Sequence, residues 1–202
     1  MRYVVAVAGP TGAGKSSLAG ALAAALGDAC TLHMDDYERM TRAPLAEVSR
    51  WAERGADFDE LEVPLLGEHL RRLKAGEAVD APGGARVAPR KYIVFETQFG
   101  RAHRATGALI DLLVWIDVPL EVALARKLRD FCAQARREGA AAAPARLAWL
   151  DEYLAGYLGL VRRLLVLQAE RVRPQADVLI DGTGALESMA RRAREQVLAR
   201  LG

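Results

Sequence analysis

Gly9-Pro10-Thr11-Gly12-Ala13-Gly14-Lys15-Ser16 combines three glycines, a lysine and hydroxyls at a spacing suited to an anion. It fits G-x-x-x-x-G-K-[ST] in full. Glycines let the backbone curl so that successive N–H groups point inward at phosphate oxygens. A helix beginning near Lys15 would add its positive end to the same spot. Lys15 would reach the β and γ phosphates as a point charge, and the Ser16 hydroxyl would ligate Mg²⁺. A chain of this composition matches the pattern by chance on the order of one time in a thousand. The competing reading, a glycine-rich turn that binds nothing, leaves the lysine and the hydroxyl without a reason.

A phosphate cradle needs partners, and in open parallel sheets these lie at the carboxyl ends of the strands. Three acidic positions follow apolar runs: Asp35-Asp36 in "LHMDDYERM", Glu96 closing "YIVFE", and Asp117 in "WIDVP". Asp35 could accept the proton of an attacking hydroxyl or hold a metal through water. The plainer alternative for Asp35 or Asp36 is a helix cap. Glu96 stands where a group behind a magnesium ion or a water-orienting carboxylate belongs, and otherwise reads as a solvated strand end. Asp117 competes for that role, and Pro119 just after it makes a helix start an equal reading. Arg126 and Arg129 lie three apart on one helical face and could neutralise a transferring phosphoryl group. Their alternative is an exposed basic surface. His33, His69 and His103 do not cluster. His33 sits in a strand-like alternation as a packed or hydrogen-bonded residue.

The elements that must position these groups are legible as alternating patterns. Tyr3 to Ala8 is a β-branched run, followed by an Ala/Leu helix from Ser16 to Leu26 with Gly27 as its stop. Further strands are expected at Ala29–Met34, Lys91–Glu96, Leu112–Asp117 and Ala176–Asp181. Leu65, Leu66, Leu70 and Leu73 share one helical face. "DAPGGARVAPR", Asp80 to Arg90, reads as a turn-rich loop. Helices are expected at Leu120–Phe131, Trp149–Val172 and Leu186–Leu201, with "ARREGAAAAPAR" interrupting the first of them as a mobile segment. Trp51, Trp115, Trp149 and Phe131 are read as core. Strands alternating with helices predict an α/β fold whose parallel sheet is covered on both faces.

With 202 residues, the chain is long enough for one domain with a sizeable core. Of its 28 basic residues only Lys15, Lys74, Lys91 and Lys127 are lysines. A net charge of +2 argues against a nucleic-acid partner, which a concentrated basic face would serve. Cys30 and Cys132 are far apart, read as free thiols, and set no metal spacing. With no leader-like or membrane-length apolar run, a cytoplasmic protein without a membrane partner is expected.

Over most of its length the chain resembles the uridine kinase and phosphoribulokinase group of P-loop kinases. "GPTGAGKSS" resembles the group's phosphate loop, "HMDDYERM" its second-strand signature, and "ADFDELEVPLLGEHLRRLKAGEAVDAP" its Asp-Phe-Asp segment and Leu-rich helix. "YIVFE", "LLVWIDVPLEVALARKLRDF" and "QADVLIDG" resemble its third strand, its fourth strand with the arginine-bearing lid helix, and its last strand. The resemblance implies a three-layer P-loop NTPase fold: a five-stranded parallel sheet flanked by helices, in a single domain over residues 1–202 with a lid at about 126–146. It implies ATP and Mg²⁺, and phosphoryl transfer to a hydroxyl of a small molecule, most like a uridine kinase-type nucleoside kinase. Asp35 would be the base. ATP would lie along Gly9, Thr11, Gly12, Ala13, Gly14, Lys15, Ser16 and Ser17, with Ser16 and Glu96 serving the metal. Arg126 and Arg129 would be lid arginines. Asp35, Tyr37, Phe58 and Tyr157 would face the acceptor. A homo-oligomer is compatible with the resemblance.

The sequence also departs from that pattern. The group's Tyr-Asp-Phe…His…Arg hairpin is replaced by "APGGARVAPRK". Of its Thr-Gln-Tyr motif only the tyrosine survives, in Ala155-Gly156-Tyr157, and Glu38 stands where it usually has tyrosine. A pocket without those hydrogen-bonding groups could not select a nucleoside in the same way. A kinase for a non-nucleoside metabolite, such as a vitamin precursor, glycerate-like acid or sugar, is therefore a second expectation. A non-catalytic nucleotide-binding module is a third.

Overall fold

The computed structural model describes residues 1–38, 43 and 45–202. Its elements run β1 (Tyr3–Ala8), α1 (Lys15–Leu26), β2 (Ala29–His33), α2 (Leu45–Glu53), α3 (Pro64–Ala75), β3 (Val79–Asp80), β4 (Arg86–Val87) and β5 (Tyr92–Glu96). They continue with α4 (Arg104–Gly107), β6 (Leu112–Asp117), α5 (Leu120–Glu138), α6 (Ala143–Gly156), α7 (Arg162–Val172), β7 (Val178–Asp181) and α8 (Leu186–Leu201). Five strands form one parallel sheet in the order β2-β5-β1-β6-β7. The expected fold class is therefore the observed one: a parallel sheet between two helical layers.

Both faces of the sheet are buried, which explains why its strands read as continuous apolar runs. Along β1, Val4, Ala6 and Ala8 pack under α3 and α7 with Phe95, Trp115, Leu66, Leu70 and Val172. Val5 and Val7 point the other way, under α1 and α8, with Leu18, Leu22, Val114, Ile180 and Ala193. Each fully buried Val or Leu contributes about 1.5–3 kcal/mol relative to exposure, so the sheet is the rigid base of the molecule. Because β1 has β5 on one side and β6 on the other, chains leaving the sheet in opposite directions open a crevice above its carboxyl end.

Several boundaries differ from the sequence expectation. The helix expected to end at Phe131 runs on to Glu138 and stops at Gly139, whose φ of 83° is left-handed. Its added turns carry Ala, Arg and Glu, all good helix formers. The long helix expected from Trp149 begins at Ala143 and is split by a five-residue π-helical stretch, Tyr157–Val161, between α6 and α7. The turn-rich loop after α3 contains a short antiparallel pair, β3 with β4. Trp51 and Trp115 are buried, but Trp149 is 43% exposed. It stacks between Phe131 and Tyr153 in the α5–α6 hairpin, at 4.9 and 5.1 Å between ring centroids, away from the central core. Arg39 and Met40, the end of the second-strand signature, lie outside the described residues. Among the described residues no helix is long and apolar enough to cross a membrane.

Candidate active site

The loop joining β1 to α1 takes the shape its glycines allow. Gly12 and Gly14 have φ of 86° and 90°, where a side chain is strained. Space also requires glycine at 12, because a Cβ there would run into the carbonyl of Ala123 at the start of α5. The loop and α5 thus approach too closely at Gly12 for any side chain. Helix α1 begins at Lys15 without a side-chain cap, so its first N–H groups are left for a ligand.

Thr11, Gly12, Ala13, Gly14, Lys15, Ser16 and Ser17 line a cavity of about 950 Å³ together with Asp35, Glu96, Gln98, Arg126 and Arg129. Lys127 and Arg136 add positive charge from α5, and Gly184 with Leu186 and Met189 of α8 complete the lining. Five chain segments far apart in sequence are therefore brought to one cavity. Gly9 is the member of the expected loop set that turns elsewhere: its carbonyl accepts from the side chain of Gln168 at 3.2 Å.

Lys15 is buried, with 8% of its surface exposed, and its ammonium donates only weakly to the Pro10 carbonyl at 3.4 Å. Burial lowers its proton affinity, while Glu96 and Asp35 pull the other way. Ser16 Oγ donates to Glu96 Oε1 at 2.9 Å, and the other carboxylate oxygen meets His33 Nδ1 at 2.5 Å. Burial works to raise the Glu96 carboxyl, but the hydrogen bonds from His33 and Ser16 and the charge of Lys15 hold it below its ordinary value of 4.5. His33 is correspondingly raised above 6.5, first by its bond to Glu96 and against its own burial. As expected, His33 is a hydrogen-bonded strand residue.

The His33–Glu96 pair sets a pH window. The His33 contribution to stability is complete below its unfolded value and is lost as pH rises through the raised folded value. The Glu96 contribution is complete above 4.5 and is lost as pH falls through the depressed folded value. We expect the His33 ring, followed by NMR, to titrate above 6.5 in the parent and to move back toward that value in Glu96→Gln. An unmoved titration in the variant would remove the ion pair from the description.

The residues present suit a magnesium-bound nucleoside triphosphate. A glycine cradle, a buried ammonium with unused donors, and an uncapped helix start match polyphosphate, and a hydroxyl beside an ionised carboxylate matches a hard cation. Among the described residues no group of three His, Cys, Asp or Glu side chains could hold a metal. Ser16 and Glu96 alone fit Mg²⁺, which keeps several waters and takes its other oxygens from phosphate.

Asp35 lies in the 3₁₀ turn Met34–Asp36 that ends β2, exposed to the cavity, and its Oδ1 accepts from Gln98 Nε2 at 3.0 Å. Arg126 lines the cavity with its guanidinium anchored to the Gly182 carbonyl at 2.7 Å, at the turn after β7. Asp117 does not compete with Glu96: it pairs with Arg173 at 2.9 Å, which lowers its carboxyl pKa, and it is absent from the cavity wall.

The expected acceptor residues other than Asp35 do not reach that wall. Phe58 is 3% exposed and packs against Phe99 at 4.5 Å between centroids, under the Arg171 guanidinium. Tyr37 is half-buried and its hydroxyl meets His69 Nδ1 at 3.0 Å. Tyr157 is buried next to Tyr153, at 6.0 Å between ring centroids. Conversely, Gln98 and Gln168 were not singled out from the sequence. Gln98 carried one readable signal, its place two residues beyond Glu96; Gln168 carried none.

Comparison with known proteins agrees with this geometry. The chain is 28% identical to a uridine kinase of Tolumonas auensis, covering 97% of this chain and 96% of that one. It is 26% identical to a uridine kinase of Chloroflexus aggregans, covering 90% and 87% respectively. Among solved structures, a possible uridine kinase from Bacillus stearothermophilus superposes with a TM-score of 0.54 at 18% identity, over 89% of each chain. Shikimate kinase from Acinetobacter baumannii superposes with a TM-score of 0.53 at 18% identity, over all of this chain and 96% of that one. No family model matches the chain. Phosphate loop, sheet order and near-full-length likeness thus give this chain the fold of the P-loop kinases and a sequence similar to that of uridine kinases.

Proposed function

We propose that the protein transfers the γ-phosphoryl group of Mg²⁺-ATP to a hydroxyl of a small molecule, and that the acceptor is a nucleoside of the uridine type. The observation that carries the transfer reaction is the single cavity bordered by the buried Lys15, the Ser16–Glu96 pair and the exposed carboxylate of Asp35. ATP supplies the phosphoryl group and Mg²⁺ neutralises part of its charge. The main chain of Thr11 to Ser16 and the Lys15 ammonium hold the phosphate chain. Ser16 and Glu96 serve the metal. Asp35 takes the proton of the acceptor hydroxyl, and Arg126 and Arg129 supply positive charge from the lid side. Phosphoryl transfer passes through a loose transition state, so alignment and charge neutralisation lower the barrier more than proton removal does.

Near-full-length likeness to curated uridine kinases supports the nucleoside reading. A second reading, a non-nucleoside alcohol, draws support from the acceptor side. The β3–β4 pair has only two residues per strand, with neither histidine nor aromatic ring between Val79 and Val87, and Phe58 and Tyr157 are packed inside the protein. ADP release with ATP and a panel of nucleosides, sugars and hydroxy acids separates the readings. We expect uridine or cytidine to stimulate ADP release above the acceptor-free rate. Stimulation by a sugar or hydroxy acid alone would replace the nucleoside reading, and stimulation by nothing alongside tight ATP binding would favour a binding module.

A further inference from the structure

Gln168 and Gln98 form an arrangement that phosphate binding alone does not call for. Gln168 projects from α7 and is 5% exposed. Its amide nitrogen donates to the Gly9 carbonyl at 3.2 Å and to the Gln98 carbonyl at 2.5 Å. Its amide oxygen is buried and has no hydrogen-bond partner among the described residues. The side chain of Gln98, half-buried, then donates to Asp35 Oδ1 at 3.0 Å. A continuous line of contacts therefore runs from the first residue of the phosphate loop, through α7, to the carboxylate on the cavity wall.

Stability alone does not explain this line. The amide satisfies two carbonyls at the expense of its own unsatisfied oxygen, whereas leucine of similar size would fill the space and leave both carbonyls without a donor. The amide does what leucine cannot. Two carbonyls, one after β1 and one after β5, repel each other at close range, and a shared NH₂ group between them fixes their separation. Gln98 has a parallel role for Asp35. Among the described residues it is the hydrogen-bond partner of that exposed carboxylate on the cavity wall, and it occupies Oδ1 while Oδ2 accepts no hydrogen bond there.

We propose that Gln98 and Gln168 are positioning residues: Gln98 sets the orientation of the Asp35 carboxylate, and Gln168 sets Gln98 against the phosphate loop. The proposal rests on the kinase reading and deepens it. Asp35 then presents a preset oxygen to the acceptor hydroxyl, at a distance from the phosphates fixed by main chain.

Gln98→Leu and Gln168→Leu test it, with uridine as the acceptor probe. Each should lower kcat about ten- to a hundredfold, the scale of a misplaced catalytic group, with unchanged MgATP affinity by calorimetry. Gln168→Leu takes a donor from two carbonyls and should melt below the parent, so rates are compared at a temperature where both are folded. The effect of Gln98→Leu should vanish in an Asp35→Asn background, because no base remains to orient. A damaged fold would instead lower the rate in both backgrounds. Unchanged kcat, or a full loss persisting beside Asp35→Asn, overturns the proposal. Crystal structures of both variants give a readout independent of turnover: Asp35 should leave its present position, and a carboxylate that stays in place overturns the proposal equally. The acceptor panel separates the two levels: a parent that no acceptor stimulates sinks the kinase reading, whereas parent-like kcat in the glutamine variants sinks only this inference.

Discussion

Replacing Lys15 by alanine is expected to reduce ADP release by about a thousandfold for any acceptor, the scale seen when a preorganised electrostatic contact to developing charge is removed. The prediction follows from how the residue is held. An ammonium carries three donors. Here the Pro10 carbonyl takes one of them at 3.4 Å, and no carboxylate lies within ion-pair distance among the described residues. Burial disfavours the charge, and Glu96 and Asp35 favour it only from a distance. A buried cation with spare donors is costly in the free protein and becomes favourable when an anion arrives. Removing it should therefore leave the melting temperature little changed while abolishing the thermal stabilisation that MgATP gives the parent. Lys15→Met, which keeps the aliphatic volume, guards against a packing artefact. Robust turnover in either variant would remove the phosphate site from the description.

The parts of this site that could be read in advance are those whose chemistry is local. The loop is legible because eight consecutive residues must satisfy backbone curvature, charge and metal ligation together. Asp35 and Glu96 are legible because an acid directly after an apolar strand lands at the carboxyl end of a parallel sheet. The two buried sheet faces follow from unbroken apolar strands such as Val4–Ala8. What escaped depends on contacts distant in sequence. Gln168 lies 159 residues from Gly9 and 70 from Gln98, so nothing local to it announces a bond to either. Phe58 stands in a segment that resembles an acceptor-binding one, yet its ring turns to Phe99 because the apolar layer beneath α3 needs it more than solvent does. Trp149 failed in the opposite sense. Its type suggests core, but the α5–α6 hairpin has no further layer to bury it, and ring stacking covers only part of its surface. Arg126 shows a subtler limit: helical spacing placed it on the cavity side, but only the fold reveals that Gly182 anchors its guanidinium.

Asp35→Asn should lower kcat by about a hundredfold or more with the acceptor that serves best, while MgATP affinity stays near that of the parent. General-base contributions run from about a hundredfold to ten-thousandfold. The lower end is expected here, because a loose transition state develops little need for the proton to leave early. Asparagine keeps the shape of aspartate and still offers an oxygen to Gln98 Nε2, so the contact at 3.0 Å and the turn that ends β2 should persist. The variant thus removes basicity with little change in position, the opposite of the glutamine variants, which disturb position and leave basicity intact. A fall in kcat of similar size from both kinds of change would mean that a charged oxygen and its placement are each required. Parent-like kcat in Asp35→Asn, with the cavity unchanged in its structure, would reassign Asp35 from base to a polar wall residue and leave alignment and positive charge as the whole of catalysis.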